Sequence, residues 1–186
     1  MNIFYLNHDT KKCAEMHVDK HCVKMILEYA QLLSTAHRVL DGTECIGLSA
    51  TGRKKKSWVL PDQRNNVLYS ATHINHPSAI WVRQSEQNYR WLFNLFCDLL
   101  NEYTYRYGKI HACERLVTTL GRPPKNIDMD REFTQPTPAM PEHYKVPGDS
   151  IQSYKNYYIG DKQRMFRSEE HTSELQSRLH LVCRLL

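Results

Sequence analysis

The chain contains no run of some 18 consecutive apolar residues, so a membrane-spanning helix is not expected. Its opening, Met1-Asn2-Ile3-Phe4-Tyr5-Leu6, lacks the charged start and apolar stretch of a secretion signal, and a cytoplasmic location is expected, the host cytoplasm if a phage encodes it. Six cysteines are present without a CxxC or other metal-ligand spacing. Cys13, Cys22, Cys45, Cys97, Cys113 and Cys183 sit mostly in helical, apolar surroundings and read as reduced structural thiols. No internal repeat is visible. Acidic residues are outnumbered, 20 Asp and Glu against 25 Lys and Arg, giving a net charge of +5. That excess suits a nucleotide or nucleic acid as partner without demanding one, because solubility alone tolerates it. At 186 residues the chain is long enough for one domain with a proper core and too short for two ordinary ones.

The fold class read from this sequence is mainly α, a single compact helical domain over residues 1–166. Residues 167–186 are set apart, because Ser168-Glu169-Glu170-His171-Thr172-Ser173-Glu174-Leu175-Gln176-Ser177 resembles the in-frame translation of a sequencing-library adapter. The tail is therefore expected to be read-through from library DNA of metagenomic or draft-assembly origin, with the native C-terminus different. Its three arginines and three glutamates cancel, so the +5 charge belongs to the rest of the chain. Within 1–166, the apolar Met1–Leu6 reads as a short strand, and Asn7, Asp9 and Thr10 offer caps to a long helix from Lys11 to Leu40. From Thr43 to Pro61 the pattern loses its period and carries Arg53-Lys54-Lys55-Lys56, a long basic loop. Ser78 caps a short helix to Arg83. Ser85 caps a longer one whose Tyr89, Leu92, Leu95, Phe96, Leu99, Leu100 and Tyr103 form a buried stripe ending at Gly108. A shorter helix is expected over His111–Leu120. Six of the eight prolines lie between residues 122 and 149, an irregular segment that must wrap over the helices. Asp149 or Ser150 then caps a last amphipathic helix through Tyr154, Tyr157 and Tyr158.

The most informative pattern is His17, His21, Lys24 and Glu28, spaced four, three and four. On a helix turning roughly 100° per residue these side chains fall within an arc of about 60°. Val18, Cys22, Met25 and Tyr29 flank them on one side and Met16, Val23 and Leu27 on the other, so the polar line is pressed toward the interior. Three readings follow. His17 and His21 have the spacing of two imidazoles on one divalent metal, with His37, His73, His76 or Glu28 as further ligands. Alternatively, Lys24 is an amine nucleophile that attacks a sugar C1′ or a carbonyl, with Glu28 one turn away to move protons. In the plainest reading Lys24 and Glu28 form an i,i+4 ion pair and the histidines hydrogen-bond within the core.

A second constellation runs from His76 to Tyr89. Arg83 is suited to two-point contact with a phosphate or carboxylate, and Trp81 and Tyr89 to stacking on a base, although aromatic residues at helical spacing are more often core. His76, Trp81, Arg83 and Tyr89 are thus the substrate-binding candidates. Arg53, Lys54, Lys55 and Lys56 are candidates for sequence-independent contact with a nucleic-acid backbone. Glu102 and Arg106 are expected to form an i,i+4 salt bridge.

The segments Met16–Glu28, His76–Leu92 and Pro136–Glu142 resemble a family of small proteins of tailed phages, a likeness that covers most of residues 1–166 and carries no established activity. More faintly, the order of elements is similar to the phage pyrimidine-dimer DNA glycosylases, down to an aromatic, basic segment around Tyr154-Lys155-Asn156-Tyr157-Tyr158. That resemblance implies a nucleophilic amine on the mature N-terminal residue and a helical glutamate. Glu28 matches the glutamate, whereas Asn2 disfavours removal of Met1, a departure from the pattern. The expected function is a DNA- or nucleotide-processing enzyme of glycosylase or lyase type, using Glu28 with Lys24 or an N-terminal amine on modified or damaged bases. The alternatives are a metal-dependent phosphohydrolase built on His17 and His21, and a non-enzymatic phage protein that binds nucleic acid or a host protein. The cofactor is correspondingly none or a divalent metal.

Overall fold

The computed structural model describes residues 1–48 and 52–162; the adapter-like tail lies outside the described residues. The elements in chain order are α1 (Thr10–Glu15), α2 (Asp19–Asp41), β1 (Thr43–Leu48), β2 (Lys54–Val59), α3 (Arg64–Val67), α4 (Pro77–Val82), α5 (Glu86–Tyr107), a 3₁₀ turn (Ala112–Leu116) running into α6 (Val117–Leu120), a second 3₁₀ turn (Glu142–Tyr144) and α7 (Ser150–Asp161). This is a mainly α domain, as expected. No described helix is long and apolar enough to cross a membrane.

Two long helices organise the core. From Leu32 to Arg38 every residue of α2 is buried, so this half of the helix is surrounded on all sides. Helix α5 packs against both α1 and α2 through Tyr89, Leu92, Leu95, Phe96, Leu99 and Leu100. Each such side chain contributes roughly 1.5–3 kcal/mol by leaving water. Ser85 caps α5 by accepting from the Asn88 amide, and Gly108 ends it in the left-handed region at φ 62°, where a side chain would be strained.

The single helix expected from Lys11 to Leu40 is broken at Met16–Val18. Val18 is extended, with φ −64° and ψ 153°. The reason is Arg106, which sequence pattern pairs only with Glu102. Its guanidinium does hold Glu102, at 2.7 Å, but it also donates to the Glu15 and His17 carbonyls and to Asp19 Oδ1 at 2.6 Å. A cation thus takes up carbonyls that a continuous helix would have satisfied itself.

Three further expectations are corrected. Residues 1–6 run extended but pair with no strand: the Phe4 amide donates to the Tyr29 hydroxyl, the Leu6 amide to Cys13 Sγ, and Cys13 Sγ to the Phe4 carbonyl. Side chains from α1 and α2 do the work of a strand edge here, which satisfies the backbone without a ladder. The basic loop is instead an antiparallel ribbon, with Thr43 opposite Val59 and Leu48 opposite Lys54. Ser78 does not cap α4. His76 does, its Nδ1 accepting from the Ser78 amide, and Pro77 opens the helix. Ser78 Oγ is left buried without a hydrogen-bond partner among the described residues.

The proline-rich segment wraps as anticipated. Thr134 receives the Trp81 indole N–H and exchanges hydrogen bonds with the Asn88 side chain, while Ala139 donates its amide to the Tyr154 hydroxyl. Asp149 caps α7, whose Tyr154 and Tyr158 are buried.

Candidate functional site

Chain termini usually fray unless they are tied down. This N-terminus is tied at several points. Ile3, Phe4, Tyr5 and Leu6 are all buried, the Phe4 amide is held by Tyr29, and the Asn2 side chain donates to the Ala139 carbonyl at 2.7 Å. The consequence is that the α-amine of Met1 sits 3.8 Å from Glu28 Oε2, with the two side chains only 5% and 15% exposed. Lys24 Nζ reaches the other oxygen of the same carboxylate, Oε1, at 3.2 Å. Glu28 therefore faces two amines, the α-amine of half-buried Met1 and a lysine side chain that is 70% exposed.

His76 borders this pair from the turn before α4. Its pKa is lowered by burial, then by the positive Met1 terminus and by His73, with Glu28 opposing. Because Nδ1 accepts from the Ser78 amide, the neutral ring carries its proton on Nε2. The turn leading to it includes His73, the one non-glycine at positive φ (47°) among the described residues, with its carbonyl bonded to the His76 amide. A left-handed residue costs free energy, so its neighbours must hold it. One carboxylate with two amines and an imidazole is an arrangement for nucleophilic amine chemistry. The carboxylate can take the proton that makes an amine nucleophilic and return it to a leaving atom.

The stripe read from sequence is thereby divided. Glu28 and Lys24 form the i,i+4 pair. His21 and His17 turn into the core instead: His21 stacks on Phe4 with ring centres 4.3 Å apart and bonds to the Tyr158 hydroxyl at 2.7 Å. His17 donates from Nδ1 to the Cys13 carbonyl and accepts at Nε2 from the Tyr29 hydroxyl, so both its nitrogens are engaged. Burial lowers the pKa of His17 to about 3 and of His21 to about 4, which leaves both rings neutral. Among the described residues no group of three or more His, Cys, Asp or Glu is placed to hold a metal ion. The helix break explains the failure of the stripe, since His17 lies before α2 and no longer shares its face. Of the apolar flanks, Val23 and Leu27 are exposed, at 41% and 40%.

The other substrate-binding candidates are structural. Trp81 and Tyr89 are buried, and the Tyr89 hydroxyl donates to the Leu120 carbonyl. Arg83 spends its guanidinium on the Ala79 and Ile74 carbonyls, which makes it a brace for the turn around His76 and not an anion site. His76 alone of the four borders the amines. Arg53 precedes β2 and Lys54, Lys55 and Lys56 lie within it. An N-terminal amine beside Glu28 was expected from the resemblance, whereas the Asn2 and Tyr29 contacts that hold the segment behind it escaped sequence reading. The available signal was the run Ile3–Leu6, whose apolar character at the very start of a chain is explained only by burial.

An open depression of about 450 Å³ lined by Lys11, Glu15, Asp98, Asn101, Glu102 and Tyr105 contains neither amine nor Glu28, and its acidic lining does not suit an anionic substrate. Comparison with family models, with curated proteins and with solved structures found no match to this chain.

Proposed function

We propose that this protein is a DNA-processing enzyme of glycosylase and lyase type, in which the Met1 α-amine is the nucleophile and Glu28 the proton-transfer group. The observation that carries this reading is the Met1 amine 3.8 Å from the Glu28 carboxylate, at the end of a segment held by Asn2 and Phe4. The basic charge of the chain fits a nucleic-acid substrate.

In the proposed reaction the amine nitrogen forms a bond to sugar C1′ of a modified or damaged nucleotide. The bond from C1′ to the base breaks, and the base leaves with the electron pair and takes up a proton from solvent water. Glu28 accepts the proton released by the amine and delivers it to the ring oxygen as the C1′–O4′ bond opens, leaving a protonated imine. Glu28, again a carboxylate, then takes a C2′ proton as the 3′ phosphate leaves with its bonding pair, and water hydrolyses the imine to release the amine. His76, whose neutral ring carries its proton on Nε2, is the proposed donor to a sugar or phosphate oxygen.

Borohydride reduction tests the reading, because it converts an imine into a stable adduct. With duplex DNA carrying an abasic site or a damaged pyrimidine, the expected result is a covalent complex whose adduct maps to the Met1 peptide. Glu28→Gln should reduce its formation from the damaged base by about 100-fold or more, the usual scale of a positioned proton-transfer group. An adduct on Lys24, a purified protein whose first residue is not Met1, or no adduct on any damaged DNA would overturn the assignment.

A further inference from the structure

The β1–β2 ribbon buries neither of its faces. All six residues of β1 are exposed, with Ile46 at 69% and Leu48 at 74%. An isolated two-stranded hairpin is marginal in water, since sheets are normally held by a packed face. Among the described residues this one is held at its root, where α2 packs on both strands, Trp58 is half-buried, Arg38 donates to the Trp58 carbonyl and Asn65 receives the Leu60 amide. Antiparallel register sorts its side chains. Ile46, Leu48, Lys54 and Lys56 share one face with Glu44 and Trp58, and Thr43, Cys45, Gly47, Ser57 and Val59 lie on the other. Between residues 43 and 59 there are four basic side chains and one acidic one, Glu44, which sits toward the root and pairs with Lys56 at 2.8 Å. The positive charge is thus gathered toward the far end, away from the body.

We infer that this ribbon is an arm that grips duplex DNA, laying its basic far end along the backbone and groove while the Met1–Glu28 site engages the nucleotide to be processed. The inference rests on the nucleic-acid reading above and adds the form of the substrate. Two strands about 4.8 Å apart with short side chains fit a groove about 12 Å wide, which admits a two-stranded ribbon. The strands reach about 20 Å from their root. Along α2 the rise from Glu28 to Asp41, next to that root, is also about 20 Å at 1.5 Å per residue. A single-stranded substrate has no groove for such an arm, whereas a duplex offers one.

The test measures binding to an undamaged duplex by fluorescence anisotropy across a salt series, with no chemistry required. The variant Arg53→Ala/Lys54→Ala/Lys55→Ala/Lys56→Ala is compared with wild type, and circular dichroism checks that its melting is unchanged, as expected for the far end of the ribbon, away from its root. Loss of three to four phosphate contacts should lower the slope of log K against log salt by about 3 and weaken binding at least tenfold. A second variant, Ile46→Ser/Leu48→Ser, should weaken duplex binding while leaving the slope unchanged. An unchanged slope and affinity in the basic variant, equal or tighter binding to a single strand, or preference for phosphatidylserine vesicles over duplex would overturn the inference. Imine trapping on a short single-stranded abasic oligonucleotide separates the two readings. Trapping that survives in the basic variant while duplex binding falls supports the arm, and ribbon-dependent binding without any trapping leaves the arm standing and removes the enzymatic assignment.

Discussion

Lowering the pH from 7 to 5 should remove much of this protein's folding stability, because three buried histidines are held neutral. His17, His21 and His37 are 2%, 6% and 1% exposed. Burial lowers their pKa values from 6.5 to about 3, 4 and 4, aided at His21 by Lys162 and Lys24 and at His37 by Arg64. Hydrogen bonding enforces the same state. His17 Nε2 accepts from Tyr29, and His37 Nδ1 accepts from Arg64 while its Nε2–H donates to Tyr89, so a second proton on either ring displaces a bond. In the unfolded chain each ring takes a proton near pH 6.5. Between pH 6.5 and 4 the unfolded state therefore binds more protons than the native one; stability is complete above 6.5 and falls as the pH drops. Each histidine contributes a slope of about 1.4 kcal/mol per pH unit, so the three together remove roughly 6 kcal/mol between pH 6.5 and 5. That is comparable with the 5–15 kcal/mol that holds a typical domain. Asp41 does not offset this loss: burial raises its pKa, but bonds from Arg64, Lys125 and Asn126 outweigh that and lower it from 3.8, so it titrates below the window. Urea unfolding followed by far-ultraviolet circular dichroism at pH 7, 6, 5.5 and 5 measures the slope. A fall of no more than about 1.4 kcal/mol per unit would mean that at most one ring is held neutral and would refute the assignment.

Two further substitutions probe the framework. Arg38 is buried and donates to Tyr69, Trp58, Asn65 and Leu68, mostly at their carbonyls, so Arg38→Met should destabilise by about 4 kcal/mol or more in urea and loosen the ribbon root; a loss under about 1 kcal/mol would show that those carbonyls find other partners. Ser78→Ala removes a buried hydroxyl that has no partner among the described residues and should stabilise by about 1 kcal/mol in the same assay, whereas a loss of stability would mean that the hydroxyl is satisfied.

The helices were legible because their information is local. Ser85 and Gly108 bracket α5 by cap chemistry, and its apolar spacing marks the face that meets α1 and α2. Asp149 does the same for α7. What periodicity missed depends on distant partners. Nothing between Met16 and Val18 announces a break, because the cause is Arg106, almost ninety positions away, drawing on the Glu15 and His17 carbonyls. The basic segment read as a loop because a ribbon exposed on both faces has no apolar alternation to reveal it, and only cross-strand pairing defines it. Arg83 illustrates the reverse error: a lone arginine beside a helix suggests an anion site, yet its donors go to backbone carbonyls left open by a turn.

The candidate site was half legible for the same reason. Lys24 and Glu28 are neighbours by helical spacing alone, whereas the Met1 amine and His76 reach Glu28 only through tertiary structure. That difference bears on which amine is the nucleophile. An exposed lysine on a helix can pair with a glutamate one turn away in almost any protein, and such a pair contributes only a few tenths of a kcal/mol. Fixing a chain terminus is harder, because every ordered residue gives up backbone entropy of about 1–2 kcal/mol. Burial of Ile3, Phe4, Tyr5 and Leu6 offsets that loss for the segment behind the amine, but it does not require Asn2 to reach Ala139 or the terminus to meet a carboxylate. The Met1 side chain packs against the core, and together with the Asn2 contact it places one nitrogen beside Glu28, which is why the Met1 amine, and not Lys24, is the group on which the proposed chemistry rests.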